Sequence, residues 1–327
     1  MIYVGIDVAS QKHDCCILDD SGAVLRDAFA FPNDRGGFCA LLQSILFSLD
    51  GAGRQNARIG LESTGHYSTN LVRFLKGEGF EVTTFNPLHV NLYRKAQTLR
   101  KTKTDRTDAR FLAAMLFSDD SEPYTPVSYQ MEELKSLVRH RYRLVSMRSK
   151  LKVSVSRLVT LLFPELHTLV WSIHQASSYA LLAELPLAKD IASCHLTHLT
   201  HLIATGSRGH YGRDKAIAIR ELAQPSIGLD SPATAFELRQ TIRMIQSLGQ
   251  EIHALDKQIK LAMKQIDSPI LTVPGISFTL GAVILAEIGD ILRFSTPAKL
   301  LAFAGLEPAT FQSGKFTAAN TSMVKRG

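Results

Sequence analysis

Four carboxylates in the first third of the chain have the types and spacing that chemistry on a phosphodiester requires: Asp7, Glu62, Asp105 and Asp108. Asp7 closes the apolar run Ile2-Tyr3-Val4-Gly5-Ile6, and Glu62 closes a second run, Ala57-Arg58-Ile59-Gly60-Leu61. A buried strand that ends on an acid delivers the carboxylate to the rim of its sheet. Asp105 and Asp108 are three residues apart and share one face of a helix. Acids that converge from two strands and a helix repel one another unless a divalent cation sits among them, which is how a phosphoryl-transfer metal site is built. Each acid also has a structural use. Asp7 can cap a turn, Glu62 can open the next helix, and Asp105 can be the N-cap of its own helix with Asp108 favouring the first-turn dipole.

The elements that must position these acids follow from the pattern. Residues 2–9, 13–18 and 23–31 read as three strands joined by short turns. Asp34 caps a helix reaching about Leu49, with Phe38, Leu41, Leu42, Ile45 and Leu46 on one stripe. A strand to Glu62, a helix near Tyr67–Lys76, the strand Glu81–Phe85, a short helix around Leu88–Lys95 and a helix over Asp105–Phe117 complete the first 120 residues. Three meandering strands followed by alternating helix and strand predict a mixed α/β sheet covered by helices. Acids ending the first and fourth strands are the layout of a ribonuclease H-like domain.

The middle of the chain, about 128–268, is helical. Leu137, Leu144, Leu151 and Leu158 recur every seven residues in one long helix from Gln130 to about Phe163, which Pro164 stops. A second runs from about Ala235 to Ile266, where Ile245, Ile252, Ile259 and Ile266 alternate with Leu248, Leu255 and Ala262. Such coiled-coil helices pair with each other or with another subunit, and a recombining enzyme would use the second. Between them, about 177–225 forms a small helical insert containing His195, His198 and His201, which lack a close flanking acid and read as surface or partly packed residues rather than a metal site.

Charge points to a polyanion. The net charge is +7 with a pI near 9.2. Seven of the basic residues lie between Arg94 and Arg110, with Asp105 and Asp108 the only acids there. Eight more lie between Leu134 and Pro164 without an acid. A merely solvated helix face would mix both signs, so Arg100, Lys101, Lys103, Arg106 and Arg110 are candidates for holding nucleic-acid phosphates. No apolar run reaches membrane-spanning length, the N-terminus reads as a strand, and Cys15, Cys16, Cys39 and Cys194 form no CxxC pair. A cytoplasmic protein with a polyanion partner is the expectation.

A third module, 269–327, begins with Val273-Pro274-Gly275-Ile276 before an apolar helix, resembling a helix-hairpin-helix phosphate clamp with Ser277 at the usual second glycine. A tight turn between packed helices accounts for it equally. Leu300-Leu301-Ala302-Phe303-Ala304-Gly305-Leu306-Glu307-Pro308 and Phe311-Gln312-Ser313-Gly314-Lys315 follow.

Together these motifs resemble one family. Gly5-Ile6-Asp7-Val8-Ala9, Leu61-Glu62-Ser63-Thr64-Gly65 and Lys103-Thr104-Asp105-Arg106-Thr107-Asp108-Ala109-Arg110 are similar to the DEDD transposases of bacterial insertion sequences. The runs Pro274-Gly275-Ile276 and Phe303-Ala304-Gly305-Leu306-Glu307-Pro308, ending in Gln312-Ser313-Gly314, resemble the second characteristic domain of the same IS110 family, which includes the IS1111 branch. The resemblance implies a RuvC-like nuclease domain with Asp7, Glu62, Asp105 and Asp108 as Mg²⁺ ligands. It implies Ser313 as a nucleophile that forms a phosphoserine link to DNA, with Lys315 beside it on the nucleic acid. It further implies composite sites built from two subunits of a dimer or tetramer, and a structured guide (bridge) RNA that selects the DNAs. Serine needs a base or metal to attack at neutral pH, and no His lies within forty residues of Ser313, so a metal cluster is the sensible activator.

Family members usually continue beyond the equivalent of residue 327, so a truncated copy is one expectation. Two rival functions accompany it: a hydrolytic, structure-selective RuvC-like nuclease in which Ser313 is incidental, and an inactive DNA-binding remnant. A sugar-kinase-type ATPase would need glycine-rich phosphate loops, which Val8-Ala9-Ser10-Gln11-Lys12 does not supply.

Overall fold

The three N-terminal apolar runs pair as a meander, β1 (Ile2–Val8), β2 (Lys12–Leu18) and β3 (Val24–Pro32). In the computed structural model, which describes residues 1–62, 66–97, 104–118, 129–308, 312–313, 316–317 and 323, the chain forms two compact units, Met1–Pro126 and Val127–Gly327. After the meander the first unit alternates α1 (Arg35–Leu49), β4 (Ala57–Glu62), α2 (Thr69–Gly77), β5 (Glu81–Phe85), α3 (Pro87–Gln97) and α4 (Asp105–Ser118). The five strands lie in the order β3-β2-β1-β4-β5. Pairing is antiparallel through β1, β2 and β3 and parallel from β1 through β4 to β5. This is the expected mixed α/β class, consistent with a ribonuclease H-like domain.

Period-2 alternation divides the sheet into two faces. Ile2, Val4, Ile6 and Val8 of β1 join Ile59 and Leu61 of β4 in one core with Phe38, Leu41 and Ile45 of α1 and Leu71 and Leu75 of α2. Helix α1 starts where expected because the Asp34 carboxylate accepts from Gly37 N–H at 2.8 Å. The alternate residues turn toward α4. There Cys16 and Leu18 of β2 pack with Ala109 and Ala113, and Phe85 of β5 packs with Leu112, Met115 and Leu116.

Two glycines let α4 lie directly on the sheet. A Cβ at Gly5 would stand 2.2 Å from both the Ala109 carbonyl oxygen and the Ala113 nitrogen. One at Gly60, the register partner of Gly5 on β4, would stand 2.7–2.8 Å from the Phe85 and Leu116 side chains. Tyr3 meets Phe117 edge-on at 5.5 Å between centroids. From Tyr3 to Gly5 along β1 the contacts on α4 therefore step back from Phe117 to Ala109, so α4 runs against β1 and its N-terminus arrives at Asp7.

The second unit is built on two long helices, α5 (Tyr129–Leu162) and α11 (Pro232–Ile266). Between them lie α6 (Leu166–Leu169), α7 (Ala176–Glu184), α8 (Ala188–Ser193), α9 (Leu196–Gly206) and α10 (Arg213–Ala223). After α11 come α12 (Phe278–Ile288), α13 (Pro297–Phe303) and a two-stranded antiparallel ribbon, β6 (Gln312–Ser313) with β7 (Phe316–Thr317). Arg141 bonds Asp256 at 2.6 Å and Arg157 bonds Glu237 at 2.8 Å, so α5 and α11 pack antiparallel to each other within the chain. One end of this pair shares a core with α7–α10 through Val155, Leu158, Val159, Leu162, Leu238 and Ile242. The other holds α12, through Leu134, Val138, Ile259, Met263, Ala282 and Ala286. Arg139 of α5 also grips Glu287 of α12 with two 2.9 Å bonds, which hold the Glu287 carboxyl below its ordinary range. No helix among the described residues is long and apolar enough to cross a membrane.

Gly249 sits within α11 with nothing within 4 Å of where a Cβ would be. Glycine in a helix interior costs conformational entropy that alanine does not, so Gly249→Ala is expected to stabilise the chain by about 1 kcal/mol. Thermal unfolding reads this as a rise of roughly 2–4 °C.

Candidate active site

Asp7 and Glu62 come to the same edge and face of the sheet. The parallel register sets Gly5 beside Gly60 and Ile6 beside Leu61, and one step further brings Asp7 beside Glu62. Both share parity with the glycines, so both are on the α4 face. Asp105 is the first residue of α4 and Asp108 lies in the same first turn. With α4 running against β1, all four acids stand at the carboxyl-terminal end of β1 and β4. Their exposures differ: the Asp105 side chain is 58% exposed and that of Asp108 10%.

The cap of α4 is Thr104, not Asp105. Thr107 N–H donates to Thr104 Oγ1 at 3.3 Å, Thr104 N–H meets Thr107 Oγ1 at 3.1 Å, and Asp108 N–H bonds the Thr104 carbonyl at 3.0 Å. This pair of threonines does the work a capping carboxylate would otherwise do. The Asp105 carboxylate is thereby left for a partner other than its own helix.

Three residues that composition and motif did not single out as site residues stand among the acids. Asp14 of β2 is the antiparallel register partner of Asp7 and shares its face, with a side chain only 4% exposed. Like charges directly opposite one another on paired strands destabilise the pair. Lys12, two residues before Asp14 on the same face, supplies a counter-charge: its Nζ lies 3.5 Å from Asp14 Oδ2 and 3.8 Å from Asp105 Oδ2. Arg94 of α3 places Nη1 3.2 and 3.4 Å from the two Asp108 oxygens while Nη2 bonds Asn91 Oδ1 at 3.2 Å. The available signal for Asp14 was the short turn after Val8, which forces β1 and β2 into a hairpin and sets position 14 opposite position 7.

Beneath the acids, on the opposite face, His13 fixes the β1–β2 turn by accepting Ala9 N–H on Nδ1 at 3.3 Å. Its ring is fully buried against Phe31 and Phe38, and burial lowers its pKa below the ordinary histidine value.

Carboxylate oxygens are the donors that hard divalent ions such as Mg²⁺ select, so the chemistry of this set fits such an ion. Among the described residues, however, no three His, Cys, Asp or Glu side chains converge closely enough to hold one. The acids share an edge, with Lys12 and Arg94 against two of them. Of the basic candidates, Arg106 and Arg110 are exposed on α4. Arg100, Lys101, Lys103 and Lys315 lie outside the described residues.

In the second unit, Ser313 pairs with Phe316 at the inner end of the β6–β7 ribbon, and Gly314 and Lys315 lie outside the described residues. Ser277, at the clamp position, caps α12 by accepting Leu280 N–H at 3.3 Å, and Gly275 before it has a φ of 86° that only glycine adopts readily. Two of the insert histidines have structural partners. His195 caps α9 through Thr197 N–H at 3.3 Å, and His198 bonds Glu184 at 2.6 Å, an acid distant in sequence that the reading of flanking residues missed.

Comparison with known proteins gives matches at both ends of the chain. A family model described as a transposase, the DEDD transposase of IS110, matches residues 4–164. A second, described as transposase IS116/IS110/IS902 family, matches residues 267–327. A mini-circle protein of IS117 from Streptomyces coelicolor, provisionally named a transposase, is 27% identical over 327 residues, covering 96% of this chain and 78% of its own. The uncharacterized 44.8 kDa protein of insertion element IS116 from Streptomyces clavuligerus is 24% identical over 330 residues, covering 97% and 78%. The uncharacterized 43.6 kDa protein of insertion element IS110 from Streptomyces coelicolor is 35% identical over 80 residues, covering 22% of this chain and 20% of that one.

Proposed function

This chain belongs to the IS110/IS116 family of transposases, and from that premise we propose that it cuts and rejoins DNA through a serine-linked intermediate. The observation that supports the reading is that Asp7 and Glu62 end adjacent parallel strands on the α4 face while Asp105 and Asp108 share the first turn of α4, with Thr104 capping that helix.

In this reading Asp7, Glu62, Asp105 and Asp108 are the residues that would hold Mg²⁺, which would supply Lewis-acid polarisation of the scissile phosphate when bound. Ser313 Oγ attacks the phosphorus, its proton passes to solvent, and the bond from phosphorus to the leaving deoxyribose oxygen breaks with protonation of that oxygen. A deoxyribose hydroxyl of the exchanged strand then attacks the phosphoserine, which rejoins DNA and restores the serine. Energy of the phosphodiester is conserved in the serine ester, so no nucleotide cofactor enters. Arg106 and Arg110, with Arg100, Lys101, Lys103 and Lys315, hold phosphates of the DNA or of a guide RNA that selects it. The acids and the serine come from different subunits of a homo-oligomer, dimer or tetramer, and the family's motif order at both ends of the chain supports assigning both to one reaction.

The test is a detergent-resistant protein–DNA adduct formed from purified chain, its co-purifying RNA, Mg²⁺ and labelled element-end DNA. The adduct is expected with wild type and absent with Ser313→Ala or without Mg²⁺. Nicked DNA with free 5′-phosphates and no adduct would favour a hydrolytic nuclease, and binding without either product a DNA-binding remnant.

A further inference from the structure

From Leu134 to its end at Leu162, α5 carries eight cations and no acid, and most of that charge is engaged inside the second unit. Lys135 and Arg139 meet Glu287 of α12 at 3.6 and 2.9 Å. Arg141 meets Asp256 of α11 at 2.6 Å, and Arg157 meets Glu237 of α11 at 2.8 Å. Arg148 and Lys152 are half-buried, and their charges act on Tyr179 and His174 of the insert. Arg143 and Lys150 remain. Both are exposed, and neither makes an ion pair among the described residues.

Seven residues apart on one helix, these two point within about 20° of one another and stand roughly 10 Å apart along its axis. Their direction is away from the seam of Leu134, Val138 and Val159, which are buried in the cores at the two ends of the helix pair. Met147, 53% exposed, stands between them on the same side. That side also carries Arg139 before them and Arg157 after them, each already neutralised by its acid. Positive charge without a counter-charge therefore lies in the middle of α5.

The occupant of such a face must be an anion with its charges spaced along a line. A second copy docking here about a two-fold axis would set Arg143 and Lys150 against the same two cations, which is repulsive. We infer that Arg143 and Lys150 form a contact track for the phosphate backbone of duplex DNA. One cation lies on each side of a groove, and groove widths of about 6 and 12 Å bracket their separation. The contact is sequence-independent; it holds the DNA and takes no part in cleavage. The inference rests on the reading above that DNA is the substrate of this chain.

Fluorescence anisotropy of a labelled duplex without element ends, titrated with the full chain at a series of KCl concentrations and without Mg²⁺, tests it. Arg143→Gln and Lys150→Gln are each expected to flatten the dependence of log Kd on log salt by about 0.9, and the pair by about 1.8. Binding at about 0.1 M salt should weaken roughly tenfold per residue. Lys150→Arg is expected to stay close to wild type. Lys257→Gln, which removes an exposed cation on another side of α11, is expected to leave the slope unchanged. Circular dichroism checks that each variant is folded. A slope unmoved by both Gln variants, or moved equally by Lys257→Gln, overturns the track; wild-type adduct formation in those variants leaves the reading above standing. A loss confined to an RNA hairpin overturns it in favour of RNA, and a changed oligomeric state by light scattering with an unchanged slope overturns it in favour of a second copy. Wild type that neither binds the duplex nor forms the adduct overturns both.

Discussion

Asp7→Asn and Asp105→Asn are each expected to abolish strand cleavage while leaving the chain folded. The expected fall in the cleavage rate of element-end DNA is about 10³-fold or more, equivalent to roughly 4 kcal/mol of lost transition-state stabilisation. Asparagine keeps the shape of the side chain and removes the charge, so packing against α4 is little disturbed. Asp105 is the sharper case, because its side chain is exposed and its helix is capped by Thr104 and Thr107. A stability loss is therefore a poor explanation for any effect of Asp105→Asn. Cleavage within tenfold of wild type in that variant would remove the acid from the reaction.

Gly5→Ala is expected to be among the most damaging single-methyl changes in the first unit. The new Cβ would meet backbone atoms of Ala109 and Ala113 at 2.2 Å, and a helix backbone cannot rotate aside as a side chain can. Overpacking of a filled core costs about 1–3 kcal/mol and more where backbone must shift, so about 3 kcal/mol or more is expected by urea unfolding. The same lift of α4 displaces Asp105 and Asp108 from the edge occupied by Asp7 and Glu62. DNA cleavage should therefore fall further than the unfolded fraction accounts for. The comparison with Gly249→Ala is instructive, since an identical chemical change in open space is expected to stabilise. A loss under about 0.5 kcal/mol for Gly5→Ala would contradict the close seat of α4 on β1.

Much of this architecture was legible because it rests on local signals. Alternating and continuous apolar runs marked the five strands, Asp34 marked the start of α1, and the helices over Asp105–Phe117 and Ala235–Ile266 begin or end within a few residues of expectation. The partnership of elements was less legible. A leucine every seven residues marked a face of α5, yet only Leu158 of the four is fully buried, and the packed seam runs through Leu134, Val138, Val155, Val159 and Leu162. Arg141 interrupts that seam by reaching Asp256, which no one-helix pattern could disclose. A heptad likewise gives a face without naming its partner. Here α5 and α11 pack on each other within one chain, one of the two pairings that the sequence left open.

The site divides in the same way. Asp7 and Glu62 were readable as strand ends and Asp105 and Asp108 as one helix face, while Asp14, Lys12 and Arg94 were not. Their roles come from register and from helix placement, which join residues of different elements. The alternative structural use of Asp105 as an N-cap failed for a local reason, since the preceding Thr104 has the same competence and stands one residue nearer the helix start.

Mass spectrometry of the trapped protein–DNA adduct tests the central claim most directly. After nuclease and tryptic digestion, the peptide from Leu300 to Lys315 should carry a phosphodeoxynucleotide on Ser313. Its formation should need Mg²⁺ and be lost in Asp105→Asn. DNA ends bearing free 5′-phosphates with that peptide unmodified, or a nucleotide on another residue, would contradict the account.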